Sequence, residues 1–196
     1  YKSGKLKVNK ATTTVTWDPK DTTVTYGESL AGIGSATAEG PKDIPGTITY
    51  SVNENDPRAI TVKTTAISAT FISASPNYAD SAPLAVAFTV SPKTATVTPG
   101  GANTIYGDEI PALSGTSDFL ADDGIVVSFT TTATKYSPVG SYLVQASYED
   151  SNGRLENYSV TLKSDENSRV VIDPATLTVE AVAGTGTILN DVNAAT

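Results

Sequence analysis

Near the start of the chain Thr12, Thr14 and Thr16 alternate with Thr13, Val15 and Trp17. The same period of two runs through Ile67, Ala69 and Phe71 against Ser68, Thr70 and Ile72. It recurs in Leu84, Val86, Phe88 and Val90 ahead of Pro92, and in Tyr142, Val144 and Ala146 against Leu143, Gln145 and Ser147. Successive side chains of a strand point to opposite faces, so each run predicts a half-buried β-strand. Turn-forming clusters separate the runs: Asp18–Asp21, Asn53–Pro57, Pro99–Gly101, Ala121–Gly124, Asp150–Gly153 and Ser164–Asn167. Short strands between such turns, over roughly 80–100 residues, predict a seven-strand sandwich.

The pattern repeats. Lys5–Val15, Ala87–Val97 and Arg169–Val179 align on Val8, Val90 and Ile172, and the step of 82 residues is the same both times. Tyr26-Gly27-Glu28 matches Tyr106-Gly107-Asp108, and Asn77-Tyr78 matches Asn157-Tyr158. Tyr26 to Tyr78 and Tyr106 to Tyr158 are both 52 residues, while the loops outside this interval differ by two residues in compensating directions. Self-similarity at a fixed step is the mark of duplicated units. The expected fold is therefore all-β, with two tandem immunoglobulin-like β-sandwich domains in an extended arrangement. Residues 1–8 read as the closing strand of a preceding repeat, 9–91 as the first repeat, 92–173 as the second, and 174–196 as the start of an incomplete following repeat or a tail. The junctions around Val8, Val90 and Ile172 leave almost no linker, and Pro92 and Pro174 stiffen two of them. A semi-rigid rod is the expected shape.

Composition narrows the chemistry. The 196 residues include no Cys, His or Met. Thiol nucleophiles, thiolate metal sites and a Ser-His-Asp triad are thereby ruled out. No acid is read as lying in an apolar context that would lift its pKa for acid–base work, so no enzyme and no cofactor are expected. Thirteen basic against 21 acidic residues give a net charge of −8, which repels phosphate backbones and argues against nucleic-acid partners. No run approaches the roughly 20 apolar residues of a membrane helix, so no membrane insertion is expected. Tyr1–Lys10 is basic and polar without the apolar core of a signal peptide. A chain of this kind is expected to be an interior piece of a larger secreted protein.

Thr94–Val97, Tyr106–Asp108, Pro111–Gly115, Asp118–Asp122, Ser137–Tyr142 and Asn157-Tyr158 occur in the order and spacing of a known family. The second unit resembles the bacterial immunoglobulin-like repeats called MBG domains, of the type named for a Tyr-Gly-X motif. The first unit resembles a related bacterial repeat; it keeps Tyr26-Gly27 and Asn77-Tyr78 but has Pro45–Tyr50 where the second has Ser137-Pro-Val-Gly. The resemblance implies an immunoglobulin-like fold in large bacterial surface proteins such as adhesins, exposed at the cell surface or secreted, with no catalytic residues. The leading expectation is a structural or adhesive repeat acting as spacer or stalk, with neighbouring repeats of the same chain as partners. The alternatives are a module that binds surface glycan or protein, and a subunit of a head-to-tail filament or layer.

Several residues invite a sharper reading. Tyr26, Gly27, Tyr106 and Gly107 form either a carbohydrate-stacking platform or, as the fixed spacing to Tyr78 and Tyr158 favours, strand ends whose Tyr packs inward and whose Gly supplies an unusual φ. Tyr158 opens the expected penultimate strand, the place of a tyrosine corner with its hydroxyl on a backbone group. Trp17 is read as core or inter-repeat packing rather than a ligand anchor. Asp122 and Asp123, and Glu149, Asp150, Asn152 and Glu156, are the candidate calcium ligands, weighed against ordinary solvated Asp/Asn/Gly turns. Asp173 is a further candidate at a junction, and Lys10 and Lys93 are candidates for an isopeptide bond.

Overall fold

The computed structural model describes residues 4–40 and 44–179. Before Pro92 run β1 (Thr14–Thr16), β2 (Thr23–Thr25), β3 (Thr37–Glu39), β4 (Gly46–Tyr50), β5 (Ala66–Ser73), β6 (Leu84–Ala87) and β7 (Thr89–Ser91). After it run β8 (Lys93–Pro99), β9 (Ala102–Ile105), β10 (Gly115–Ser117), β11 (Ile125–Thr131), β12 (Gly140–Asp150), β13 (Tyr158–Leu162) and β14 (Arg169–Asp173). The protein is all-β: among the described residues there is no α-helix, only three single 3₁₀ turns at Leu30–Gly32, Ala121–Asp123 and Leu155–Asn157.

The alternation of the sequence becomes the two faces of the strands. Thr13, Val15 and Trp17 are buried, while Thr12, Thr14 and Thr16 face solvent. Ile67, Ala69 and Phe71 of β5 are buried in the same way. Their cluster takes in Val24, Leu30, Ile60 and Phe88. Trp17 sits at its centre, 5.3 Å from the Tyr50 ring and 5.7 Å from Phe88, and its indole N–H donates to the Gly34 carbonyl at 3.1 Å. A second cluster gathers Val144, Val170 and Ile172 with Phe129 and Leu113. A third joins Tyr26 to Ala95, Tyr158, Phe119 and Leu120.

Strand pairing follows one scheme on both sides of Pro92. β1 runs antiparallel to β3, and β8 to β10. β2 runs parallel to β7, and β9 to β14. Ala11 makes a parallel bridge to Tyr78, and β8 pairs in parallel with β13 from Lys93↔Tyr158 onward. β4-β5-β6 form one antiparallel sheet, and β11-β12-β14-β9 form a mixed one. The sheet β10-β8-β13 packs on the latter so closely that a Cβ on Gly115 would run into the Phe129 ring. Among the described residues no ladder pairs a strand before Pro92 with one after it. Only Pro92, which has no N–H to give, separates β7 from β8.

The described ends of the chain carry no strand. Residues 4–10 carry no strand, and Leu6 and Val8 stand in solvent. Residues 174–179 are also without strand, with Leu177 and Val179 exposed at 86% and 82%. A strand needs a neighbour for its backbone groups, and among the described residues neither segment pairs with one. The remainder of the expected closing strand (1–3) and of the expected following repeat or tail (180–196) lies outside the described residues.

Candidate functional site

The site forms where β2 ends. The Tyr26 N–H donates to the Ser91 carbonyl at 2.9 Å, extending the parallel β2–β7 pairing by one residue. Gly27 then turns with φ 96°, a conformation a Cβ would strain. Glu28 closes the turn: its N–H donates to the Thr25 carbonyl at 3.1 Å and its carboxylate accepts from the Thr25 N–H at 2.8 Å. This aims the Tyr26 side chain past Pro92, into the strands that follow it. There it is 1% exposed and packs edge-on against Tyr158, with ring centroids 5.4 Å apart; Tyr158 packs likewise on Phe119 at 4.9 Å.

Both phenol hydroxyls converge on Asp123, itself 1% exposed. Tyr26 donates to its two carboxylate oxygens at 2.9 and 3.0 Å, and Tyr158 donates to Oδ2 at 2.5 Å. The Tyr158 oxygen also accepts from the Leu120 N–H at 3.0 Å. Asp123 is presented by the 3₁₀ turn Ala121–Asp123, and Asn152 Nδ2 donates to its carbonyl at 3.0 Å. A carboxylate taken out of water must be hydrogen-bonded or be very costly, and the two tyrosines supply the bonds. The phenols respond in turn. Burial first, then the bond to the Asp123 carboxylate, pushes Tyr26 up to about 12, and the same causes raise Tyr158.

A polar rim surrounds this centre. Arg58 donates to the Asp122 carbonyl at 3.1 Å, and Arg154 to the Arg58 carbonyl at 3.3 Å. Asn157, fully buried, accepts from the Val62 N–H at 3.0 Å. Lys63 and Glu156 form an ion pair at 2.5 Å. Asp150 shapes the turn that delivers Asn157 and Tyr158, accepting from the Arg154 and Leu155 N–H groups at 2.8 and 2.7 Å. Burial alone would raise its carboxyl, but the backbone N–H groups outweigh this and hold it below its ordinary value. An open groove lined by Asn53, Asp56, Arg58, Leu120 and Asp122 runs along the same seam.

Of the residues singled out in the sequence, Tyr26 and Tyr158 meet, with Gly27 lying over Leu120 and Lys93. Tyr106 and Gly107 lie apart from them. Gly107 has φ 98°, matching Gly27, yet Tyr106 is 45% exposed. Tyr78 is half-buried beside its bridge to Ala11. The candidate calcium ligands are divided among separate protein partners. Asp122 is exposed near Arg58, Asp123 is held by tyrosines, and Asp150 by backbone N–H groups. Asn152 donates to a carbonyl, Glu156 pairs with Lys63, and Glu149 is exposed on β12 opposite Val126. Among the described residues no three acidic side chains converge where a metal ion would fit. Asp173 is exposed and its carbonyl accepts from the Tyr106 N–H; Lys10 is exposed.

Sequence reasoning missed the central role of Asp123, which it placed in a solvated turn. The signal was its setting between Phe119-Leu120-Ala121 and Ile125-Val126-Val127, an apolar context of the kind judged absent. It also missed Tyr142, whose hydroxyl donates to the Pro138 carbonyl four residues earlier at 2.7 Å. Tyr158, for which a backbone partner was expected, accepts from the Leu120 N–H 38 residues away and also donates to Asp123.

No curated protein and no solved structure matches the chain. Residues 95–167, which include Tyr106-Gly107, Asp123 and Tyr158, match the family model described as MBG domain (YGX type).

Proposed function

We propose that the chain is a pair of tandem immunoglobulin-like β-sandwich repeats, 9–91 and 92–173, acting as a non-catalytic spacer in a large extracellular bacterial surface protein. The observation that carries this is the burial of Tyr26 against Tyr158 and Asp123 across Pro92. A linker of one residue limits the angles two bodies can adopt. A buried aromatic plug, with a hydrogen-bonded carboxylate at its tip, then selects one of them. Fully burying a large side chain is worth about 1.5–3 kcal/mol, and hydrogen bonds to a charged group about 1.5–3 kcal/mol each. Together these suffice to hold one inter-repeat angle against thermal bending. The recurrence of the pairing scheme on both sides of Pro92 supports the duplication. The MBG match supports the surface-protein setting, as a repeat module of such proteins. No helix among the described residues is long and apolar enough to cross a membrane.

Small-angle scattering on the wild type and on Asp123→Ala tests the reading. The wild type is expected to scatter as one elongated rigid body, and the variant as two bodies over a broader range of distances. A wild type that scatters as compact, or as flexibly linked as the variant, would rule the spacer reading out.

A further inference from the structure

The first Tyr-Gly motif is a plug already seated; the second has the same backbone shape but leaves its side chain half in solvent. Gly27 and Gly107 turn at φ 96° and 98°. Tyr26 follows a strand parallel to β7, and Tyr106 follows a strand parallel to β14, where Ile105 pairs with Asp173. The N–H of each tyrosine donates to the carbonyl of the residue that ends the neighbouring strand, Ser91 for Tyr26 and Asp173 for Tyr106, at 2.9 Å in both cases. Yet Tyr26 is 1% exposed and Tyr106 45%.

The surroundings of Tyr106 are those of an uncovered contact. Ile105, Tyr136 and Val139 are exposed at the same end of the sheet, and the Gly107 N–H donates to the Lys135 carbonyl at 2.9 Å. Lys135, whose ammonium pairs with Glu109 at 2.5 Å, sits on the loop of the β11–β12 hairpin, as Arg58 and Lys63 sit on the loop of the β4–β5 hairpin. Those two face Asp122 and Glu156. Leu177 and Val179, one 82-residue step beyond the fully buried Ala95 and Val97 of β8, are exposed and unpaired with any strand among the described residues.

We infer that Tyr106 is the docking plug for a further repeat of this same kind joined directly after Asp173, and that its hydroxyl seats on a buried carboxylate–tyrosine pair equivalent to Asp123 and Tyr158. The occupant is the next repeat in the same chain because the seated plug, Tyr26, enters the repeat that immediately follows its own. This inference rests on the spacer reading and deepens it: stiffness at each joint comes from one repeated contact, a Tyr-Gly plug at one end of a repeat and an Asp–Tyr socket at the other.

The test is a three-repeat protein, residues 1–173 followed by 92–196, with the distal copy's Tyr106→Phe so that only the internal Tyr106 reports. Nitration by tetranitromethane, followed by peptide mass, reads its accessibility beside that in the 196-residue chain. A buried phenol reacts only through local opening, so the internal Tyr106 is expected to react at least about tenfold more slowly in the three-repeat protein. Asp123→Asn in the distal copy is expected to return much of that reactivity. Tyr26 stays protected throughout and reports that the protein is folded. Equal Tyr106 reactivity in the two proteins overturns the inference. Scattering then separates the cases: an elongated three-repeat particle leaves the spacer reading standing, and a compact one removes both. Concentration-dependent protection of Tyr106 in the 196-residue chain also overturns it, because the occupant would then be a second molecule.

Discussion

Tyr26→Phe isolates the hydroxyl at the centre of the Tyr26–Asp123–Tyr158 cluster. The ring remains, so packing on Tyr158 and Leu120 is kept and no cavity opens. What is lost is the donor to both Asp123 oxygens, at 2.9 and 3.0 Å. Asp123 keeps only the Tyr158 hydroxyl among its side-chain donors. A hydrogen bond to a charged acceptor contributes about 1.5–3 kcal/mol, and a buried acceptor left short of partners pays its desolvation in full. The expected destabilisation is about 2 kcal/mol. On the proposed division at Pro92 each cooperative unit has roughly 60–100 residues, for which each kcal/mol lowers Tm by about 4–8 °C, so a fall of roughly 8–16 °C should appear in the melt. Tyr106→Phe is the matched control. It has the same motif and the same backbone, but its side chain is half in solvent, so the change should lie within about 0.5 kcal/mol. Urea titrations of the three proteins, with equal m-values, measure both. If Tyr26→Phe costs no more than Tyr106→Phe, the Tyr26 hydroxyl does not hold Asp123 and the account of the junction is wrong.

Asp123→Ala strands two buried phenol hydroxyls, and a double-mutant cycle with Tyr26→Phe should return a coupling of about 1–2 kcal/mol; additivity would show that the two groups do not interact. At high pH the sign is fixed by the raised Tyr26 pKa. Below pH 10 both folded and unfolded chains keep the proton and the contribution is complete; from 10 to about 12 only the unfolded chain loses it, so stability falls with rising pH. Denaturant midpoints measured from pH 8 to 12 should drop in that window, and the slope should lessen in Tyr26→Phe. The Lys63–Glu156 pair is largely exposed, so Lys63→Ala should cost at most about 1 kcal/mol, and less at high salt; a larger loss by denaturant titration would mean the rim, not the tyrosines, holds the joint. Because Asp150 and Glu156 already have protein partners, millimolar calcium or a chelator should leave Tm unchanged; a rise with calcium that the chelator reverses would reinstate the acidic turns as a metal site.

What the sequence alone determined was whatever depends on near neighbours. Alternation at Thr13, Val15 and Trp17, and at Ile67, Ala69 and Phe71, predicted which side chains face inward, because a strand's two faces are set by its own pleat. The Tyr-Gly turns were legible for the same reason: a glycine at φ near 97° is a local demand, met identically at Gly27 and Gly107. The 52-residue interval between each Tyr-Gly and its Asn-Tyr was legible in the sequence, but not what either motif would touch. Asp123 lies 97 residues from Tyr26 and 35 from Tyr158, and no periodicity reaches that far. Read locally, Ala121-Asp-Asp-Gly124 is a polar turn. Only when β2 directs Tyr26 across Pro92, and β13 brings Tyr158 alongside, does that turn close over its acid. Tyr26 and Tyr106 share their motif and their backbone, yet one is buried and the other is half in solvent. Burial belongs to the neighbours a side chain meets in space, and so the tertiary structure alone decided which of the two tyrosines is buried against Asp123.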